Sequence, residues 1–113
     1  FPELALTLRA RGANILTAPA AFTYTTGQMH WQLLLQARAM DSQSIVLGAA
    51  QQGWHGEKRQ TWGHAGATNS RGQVLDLILN PGAQLITVPF DLAEQAQIRE
   101  SMPLMQHRKL VQF

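Results

Sequence analysis

Few side chains in this sequence are equipped for chemistry. Cys is absent, which excludes a thiol nucleophile, a thiolate metal site and a disulfide within these residues. Ser44, His64 and Asp76 supply the three residue types of a nucleophile–base–orienter relay. No Gly-x-Ser-x-Gly elbow surrounds the serine, so the three read as ordinary polar residues on separate elements. The histidines His30, His55, His64 and His107 lack the i, i+4 spacing of a helical metal pair and have no Cys partner, so no metal site is expected. Asp41, Asp76 and Asp91 stand too far apart in sequence to read as a carboxylate pair. Trp54, His55, Arg59 and Trp62 could stack nucleobases, but no basic groove accompanies them. Arg38 lies one helical turn from Asp41, the spacing of a structural ion pair. Gly63-His64 reads as a backbone requirement, since Gly tolerates unusual φ. His30-Trp31 reads either as packing or as a pocket wall.

The totals narrow the classes further. Nine Lys and Arg against seven Asp and Glu leave a net charge of +2, and the seven Arg are scattered along the chain. That excess is too small and diffuse for a nucleic-acid partner. Hydrophobic residues make up 45% and charged residues 14%, a balance that predicts much surface facing other protein, such as a partner subunit. No apolar run approaches the ~20 residues that span a bilayer. The opening Phe-Pro-Glu has no basic n-region, so no signal peptide is read and a cytoplasmic location is expected. Because Phe1 is not Met, more chain is expected upstream.

The elements that would hold any site follow from periodicity. Residues 1–11 read as a helix, with Pro2 in the first turn, Leu4 and Leu8 on one stripe, and Gly12 as the stop. Residues 14–18 form a short apolar strand ended by Pro19, which cannot donate to a ladder. A Thr-rich loop follows over residues 20–27. The strongest helix covers residues 28–41, where Met29, Leu33, Leu34, Ala37 and Met40 recur at helical spacing. Trp31 and Leu35 widen that apolar face, which predicts burial on more than one side. Residues 44–50 read as a buried parallel strand. Residues 51–62 read as a polar loop whose Trp54, His55 and Trp62 make it a candidate site or interface. Strands are expected at 63–68, 73–79 and 84–88, with turns at Asn69-Ser70-Arg71-Gly72 and Asn80-Pro81-Gly82. Asp91 caps a last helix to Ser101, with Glu94 three residues on, and Pro103 stops it. Residues 105–113 form a basic, partly apolar tail. This order predicts an α/β fold that turns antiparallel. A chain that opens inside a helix and leaves several apolar strands has too few layers to cover them, so part of a larger domain is expected.

An ordered set of motifs points further. Phe1-Pro2-Glu3-Leu4, Ile15-Leu16-Thr17-Ala18-Pro19-Ala20-Ala21-Phe22, Thr26-Gly27, His30-Trp31, Leu34-Leu35 and Ala37-Arg38-Ala39 are followed by Gln43, Gly63-His64, Gly72 and Gln106-His107-Arg108. Together they resemble the nitrilase superfamily of carbon–nitrogen hydrolases, and most closely the branch of deaminated glutathione amidase and the omega-amidases. The resemblance runs from residue 1 to about 109. Three stretches depart from the family pattern. Gly63-His64-Ala65 stands where Gly-His-Ser is usual. Asn69-Ser70-Arg71-Gly72 replaces a segment ending Asp-Pro-Trp-Gly, and Gln36-Ala37-Arg38-Ala39-Met40-Asp41 replaces Arg-Ala-Arg-Ala-Ile-Glu. These changes leave the exact amide open.

The resemblance implies half of a four-layer α-β-β-α sandwich, with residues 1–113 as the C-terminal part of one hydrolase domain. In that family Phe-Pro-Glu follows directly after the segment bearing the nucleophilic Cys. A general-base Glu and an oxyanion-holding Lys lie further upstream. None of the three has a counterpart here, so the expected catalytic set within these residues is empty. What the resemblance assigns to this half is support: Ala21, Phe22 and Thr26, in the loop 20–27, would wall a pocket for a small carboxylic amide. The helix at 28–41 would pack in a homodimer, and the missing N-terminal half would be the main protein partner. No metal, cofactor, nucleic-acid or membrane partner is expected. The competing reading is a catalytically inactive module that dimerises through the same helix.

Overall fold

The computed structural model describes residues 1–110. Its elements run α1 Pro2–Ala10, β1 Ile15–Thr17, α2 Tyr24–Ser42, β2 Ile45–Gly48, β3 Gln52–His55, β4 Arg59–Trp62, β5 Gly66–Thr68, β6 Val74–Leu77, α3 Leu92–Ser101 and α4 Leu104–His107. One sheet has the order β1-β2-β5-β6. β1 and β2 are parallel, with Leu16 opposite Val46, and the β2–β5 and β5–β6 pairs are antiparallel. This is the α/β pattern turning antiparallel that periodicity predicts. β3 and β4 form a separate hairpin.

Side-chain parity decides how the sheet is covered. Leu16 and Val46 point to the helix side, where they join Ala5, Trp31, Leu35 and Ala39 in one core cluster. Within α2 the buried positions are Gly27, Trp31, Leu35, Ala39 and Ser42. The stripe expected to be buried, Met29, Leu33, Leu34 and Met40, is instead exposed, with Leu33 at 65%. Gly48 accounts for the choice. A Cβ there would stand 2.7 Å from Trp31 and 2.9 Å from Leu35, so the missing side chain opens the seat those two residues fill.

Among the described residues no helix covers the opposite face of the sheet above Thr17, Leu47 and Ala67. Together with Ile78, Ile86 and Val88 these residues line an open apolar groove of about 490 Å³. Residues 84–88, expected as a strand, pair with nothing among the described residues. An alternation in burial survives: Ile86 and Val88 are half-buried, while Leu85 and Thr87 are exposed, although all four border the groove. Alternation specifies which side turns inward, but a strand also needs a neighbour to accept its backbone hydrogen bonds.

Three further expectations change. The loop 20–27 stops earlier, because α2 begins at Tyr24 with Thr23 as N-cap. Gly27, expected to end the loop, lies inside the helix. A Cβ there would collide with the Trp62 indole, so Gly is kept for close packing rather than for flexibility. The polar loop 51–62 is mostly the β3–β4 hairpin, turning at Gly56 with φ +69°. The basic tail holds the short helix α4, and residues 111–113 lie outside the described residues.

α3 seals the lower end of β1 and β2. Asp91 caps it, its carboxylate accepting from Ala93 N at 2.7 Å. Gln95 Nε2 donates to Asn14 O and Ser70 Oγ, both at 2.9 Å. Arg99 donates through Nε to Gln43 O at 3.0 Å, through Nη1 to Asn14 Oδ1 at 2.6 Å, and through Nη2 to Ala13 O and Ser44 Oγ at 3.3 Å. Desolvation, and after it the neighbouring Arg9 guanidinium, pulls the Arg99 pKa down to about 10, which leaves it charged at neutral pH. Gln43 closes α2 in the left-handed region at φ +48° and donates through Nε2 to Met102 O at 2.7 Å. The Arg38–Asp41 pair forms as expected, at 3.2 Å.

Candidate functional site

The upper, carboxyl ends of β1 and β2 are built differently. Parallel strands end side by side, and open α/β sheets leave a crevice there. Pro19 has no N–H, yet the pairing continues past it: Ala18 N donates to Leu47 O at 2.9 Å, Ala20 N to Ala49 O at 2.8 Å and Gln51 N to Ala20 O at 3.0 Å. The side chains at this edge are small. Pro19, Ala20, Ala21, Ala49, Ala50 and Gln51 line an open cleft of about 590 Å³.

Past the cleft the chain is stitched to the hairpin. Trp62 N donates to Phe22 O at 3.0 Å, and Thr23 bridges Thr61. The Phe22 ring turns inward against Trp31, centroids 5.2 Å apart. Thr26 sits in the first turn of α2, where its hydroxyl accepts from Thr23 Oγ1 at 3.1 Å. Of the three expected pocket residues, then, Ala21 borders the cleft, Phe22 anchors the segment to the core, and Thr26 lies at the helix start.

An aromatic column stands beside this segment. Tyr24 meets the Trp62 ring edge-on at 5.0 Å, and Trp62 stacks on His64 at 3.9 Å with planes 7° apart. Gly63 and His64 are both left-handed, at φ +75° and +61°, which bears out the backbone reading of this dipeptide. The two successive reversals turn β4 into β5 and bring the His64 ring back over Trp62. His64 Nδ1 lies 2.9 Å from Trp62 O. A carbonyl only accepts, so that nitrogen carries the proton. His64 O in turn accepts from Trp31 Nε1 at 2.7 Å. Trp31 is 3% exposed, so of the two readings of His30-Trp31 packing holds for the indole, while His30 is exposed.

The possible relay does not assemble. Ser44 is buried at the lower end, donating to Ser42 O at 3.2 Å, whereas His64 stands by the hairpin and Asp76 is exposed on β6. His55 Nε2 is 2.8 Å from Thr61 Oγ1 across the hairpin. No group of three metal-capable side chains comes together among the described residues. Sequence reasoning placed pocket residues on one strand end and overlooked Ala49, Ala50 and Gln51 on the other. The signal was available: two consecutive parallel strands bring both carboxyl ends to one crevice.

The carbon-nitrogen hydrolase family matches over residues 1–100. The chain belongs to that family. It is 44% identical to the deaminated glutathione amidase of Yersinia enterocolitica over 112 residues, covering 98% of this chain and 38% of that protein. The crystal structure of the C. elegans NitFhit protein superposes with a TM-score of 0.85 at 39% identity, over 96% of this chain and 26% of that one. Nit3 of Saccharomyces cerevisiae, a member of branch 10 of the nitrilase superfamily, gives a TM-score of 0.87 at 29% identity, over 97% of this chain and 40% of that one. The fold is therefore of nitrilase type, and this carbon–nitrogen hydrolase chain spans between about a quarter and two-fifths of the length of these relatives. No helix among the described residues is long and apolar enough to cross a membrane.

Proposed function

We propose that residues 1–113 are the C-terminal portion of an amidase that cleaves a small carboxylic amide through a Cys acyl-enzyme. The nucleophilic Cys, the general-base Glu and the oxyanion-holding Lys would come from outside this sequence. In that route the thiolate attacks the amide carbonyl carbon, and the base delivers a proton to the departing nitrogen as the C–N bond breaks. Water then opens the thioester, returning acid and thiol. The observation that carries the reading is the open, alanine-lined cleft at the carboxyl ends of β1 and β2, in a chain matched by the hydrolase family over most of its length. Ala21 would wall the pocket, while Phe22 and Thr26 would hold that wall in register. The amidase name of the Yersinia relative supports the same substrate class.

The rest of the domain would lie over the apolar groove at Thr17, Leu47 and Ala67, completing the four-layer sandwich. Two copies would meet through α1 and α2, whose exposed Leu4, Leu8, Met29, Leu33 and Met40 form an uncovered apolar surface. A cytoplasmic location accompanies this reading. The test is ammonia release from small primary amides by the complete protein. Release is expected to vanish when the nucleophilic Cys is replaced by Ala. Turnover that survives the replacement, or a complete chain without that Cys, overturns the reading. The exposed helical surface also favours a second one, an inactive dimerising module; a stable dimer that releases no ammonia from any amide selects it.

A further inference from the structure

We propose that His64 is a positioning residue for the hydrolysis: its ring and its carbonyl together fix the wall segment Ala20–Thr23 in one place beside the strand-end cleft. The inference rests on the amidase reading and extends it. His64 does not border that cleft, so it acts through other side chains.

The wall segment is held from two directions. On the helix side the Phe22 ring packs on Trp31, centroids 5.2 Å apart. On the hairpin side Phe22 O accepts from Trp62 N at 3.0 Å, and Thr23 bridges Thr61. Both tryptophans end on His64. Its carbonyl accepts from Trp31 Nε1 at 2.7 Å. Its ring lies flat on the Trp62 indole, 3.9 Å away, and its Nδ1 donates to Trp62 O at 2.9 Å. One residue therefore couples the helix core to the hairpin and, through both, to the wall.

The hairpin needs such a clamp. β3 and β4 form a sheet of their own, joined to the main sheet by residues 49–51 on the way in and 63–65 on the way out. The exit turns through two successive left-handed residues. The first is glycine for want of space, since a Cβ on Gly63 would stand 2.5 Å from Gln52 Cβ. The second, at φ +61°, carries a histidine where a glycine would be unstrained. A disfavoured backbone conformation kept beside a site points to what its side chain touches, and this one touches Trp62.

Small shifts of the wall matter more to the chemistry than to the fold. Ala20 and Ala21 present only methyl groups to the cleft, so its shape depends on where their backbone lies. Attack needs reacting atoms about 3–3.5 Å apart, and a displacement of about 1 Å can cost on the order of 100-fold in rate. Without the His64 ring, the hairpin and the Phe22–Thr23 segment it grips would sample such displacements while the lower end of the strands stays latched to α3.

The experiment uses the complete enzyme with propionamide as probe. It compares His64→Ala and His64→Gly with Arg99→Ala, which loosens the opposite end of the strands. His64→Gly removes the ring but relieves the left-handed backbone, so it should melt at or above His64→Ala. Both are expected to lose kcat about 10–100-fold with KM changed less than about threefold, while Arg99→Ala keeps kcat within about twofold despite its lower stability. Wild-type kcat in His64→Gly would leave His64 a backbone role only and overturns the proposal, as does an equal loss in Arg99→Ala. Hydrogen exchange gives a readout independent of turnover. The Trp62 amide, which donates to Phe22 O, should exchange about tenfold faster in His64→Gly but not in Arg99→Ala. If the enzyme turns over no amide, the amidase reading fails by itself, and this exchange still decides whether His64 holds the wall. Equal exchange in wild type and His64→Gly, or equal acceleration in both variants, sinks it.

Discussion

The two ends of the β1–β2 pair are opposites. At the lower end, Asn14, Gln43 and Ser44 are locked to α3 by Gln95 and Arg99, so that almost every polar group in view has a partner. At the upper end, Pro19, Ala20, Ala49 and Ala50 leave a cleft with few directional contacts beyond the backbone. Both ends belong to the same two strands, so the contrast comes from side chains and from what packs against them. A dense polar latch holds the strands in register, which lets the other end remain open. Stability resides at one end and access at the other, in keeping with rigid scaffolds that carry their sites at loop ends.

Breaking the latch should have the largest effect on stability. Arg99→Ala removes four hydrogen bonds and leaves Asn14 Oδ1 and Gln43 O short of donors. A loss of about 2–4 kcal/mol is expected in urea denaturation. A loss below ~1 kcal/mol would show that the latch is solvated rather than structural. Gly27→Ala comes next, because its Cβ collides with Trp62. Overpacking of about 1–3 kcal/mol should outweigh the ~1 kcal/mol that Ala gains over Gly in a helix. A rise in Tm for Gly27→Ala would refute the close-packing account.

Filling the open end should separate stability from function. Ala49→Val lies at an exposed position on the cleft. Stability should move by no more than ~0.5 kcal/mol. In the complete enzyme kcat/KM should drop by roughly tenfold or more, as the added methyls occupy the substrate's space. Equal activity would place the reaction centre elsewhere. The smallest effect belongs to Asp41→Asn. Its ion pair with Arg38 is a partly exposed i, i+3 contact, so a change within ~0.5 kcal/mol is expected by thermal denaturation. A larger loss would mean that the Arg38 guanidinium depends on Asp41 for burial.

Much of this organisation was legible beforehand. Leu4 and Leu8, the strand before Pro19, the apolar run at 44–50 and the Asp91 cap each state their element through local chemistry. The resemblance carried by Pro19-Ala20-Ala21-Phe22 and Gly63-His64 led to the right family. The errors share a cause. The hairpin was hidden because Gly53, Gly56 and three consecutive charges interrupt its alternation, and its strands depend on each other and on residues 22–23 for hydrogen bonds. The strand expected at 84–88 has the right alternation but no partner among the described residues.

By itself the sequence determined the succession of α1, β1, α2, β2 and α3, the Asp91 cap, the lack of a thiol and the family, because each of these is written in local residue types or in an ordered motif set. Only the tertiary structure decided which stripe of α2 is core and which lies bare, since two apolar stripes compete and the gap at Gly48 settles the matter. It also brought Ala20 beside Ala50 and folded Trp62 between Tyr24 and His64. The Ala20–Ala50 and Tyr24–Trp62 juxtapositions join residues about 30 to 40 positions apart, and pairing and packing across that distance depend on the whole fold rather than on any local pattern.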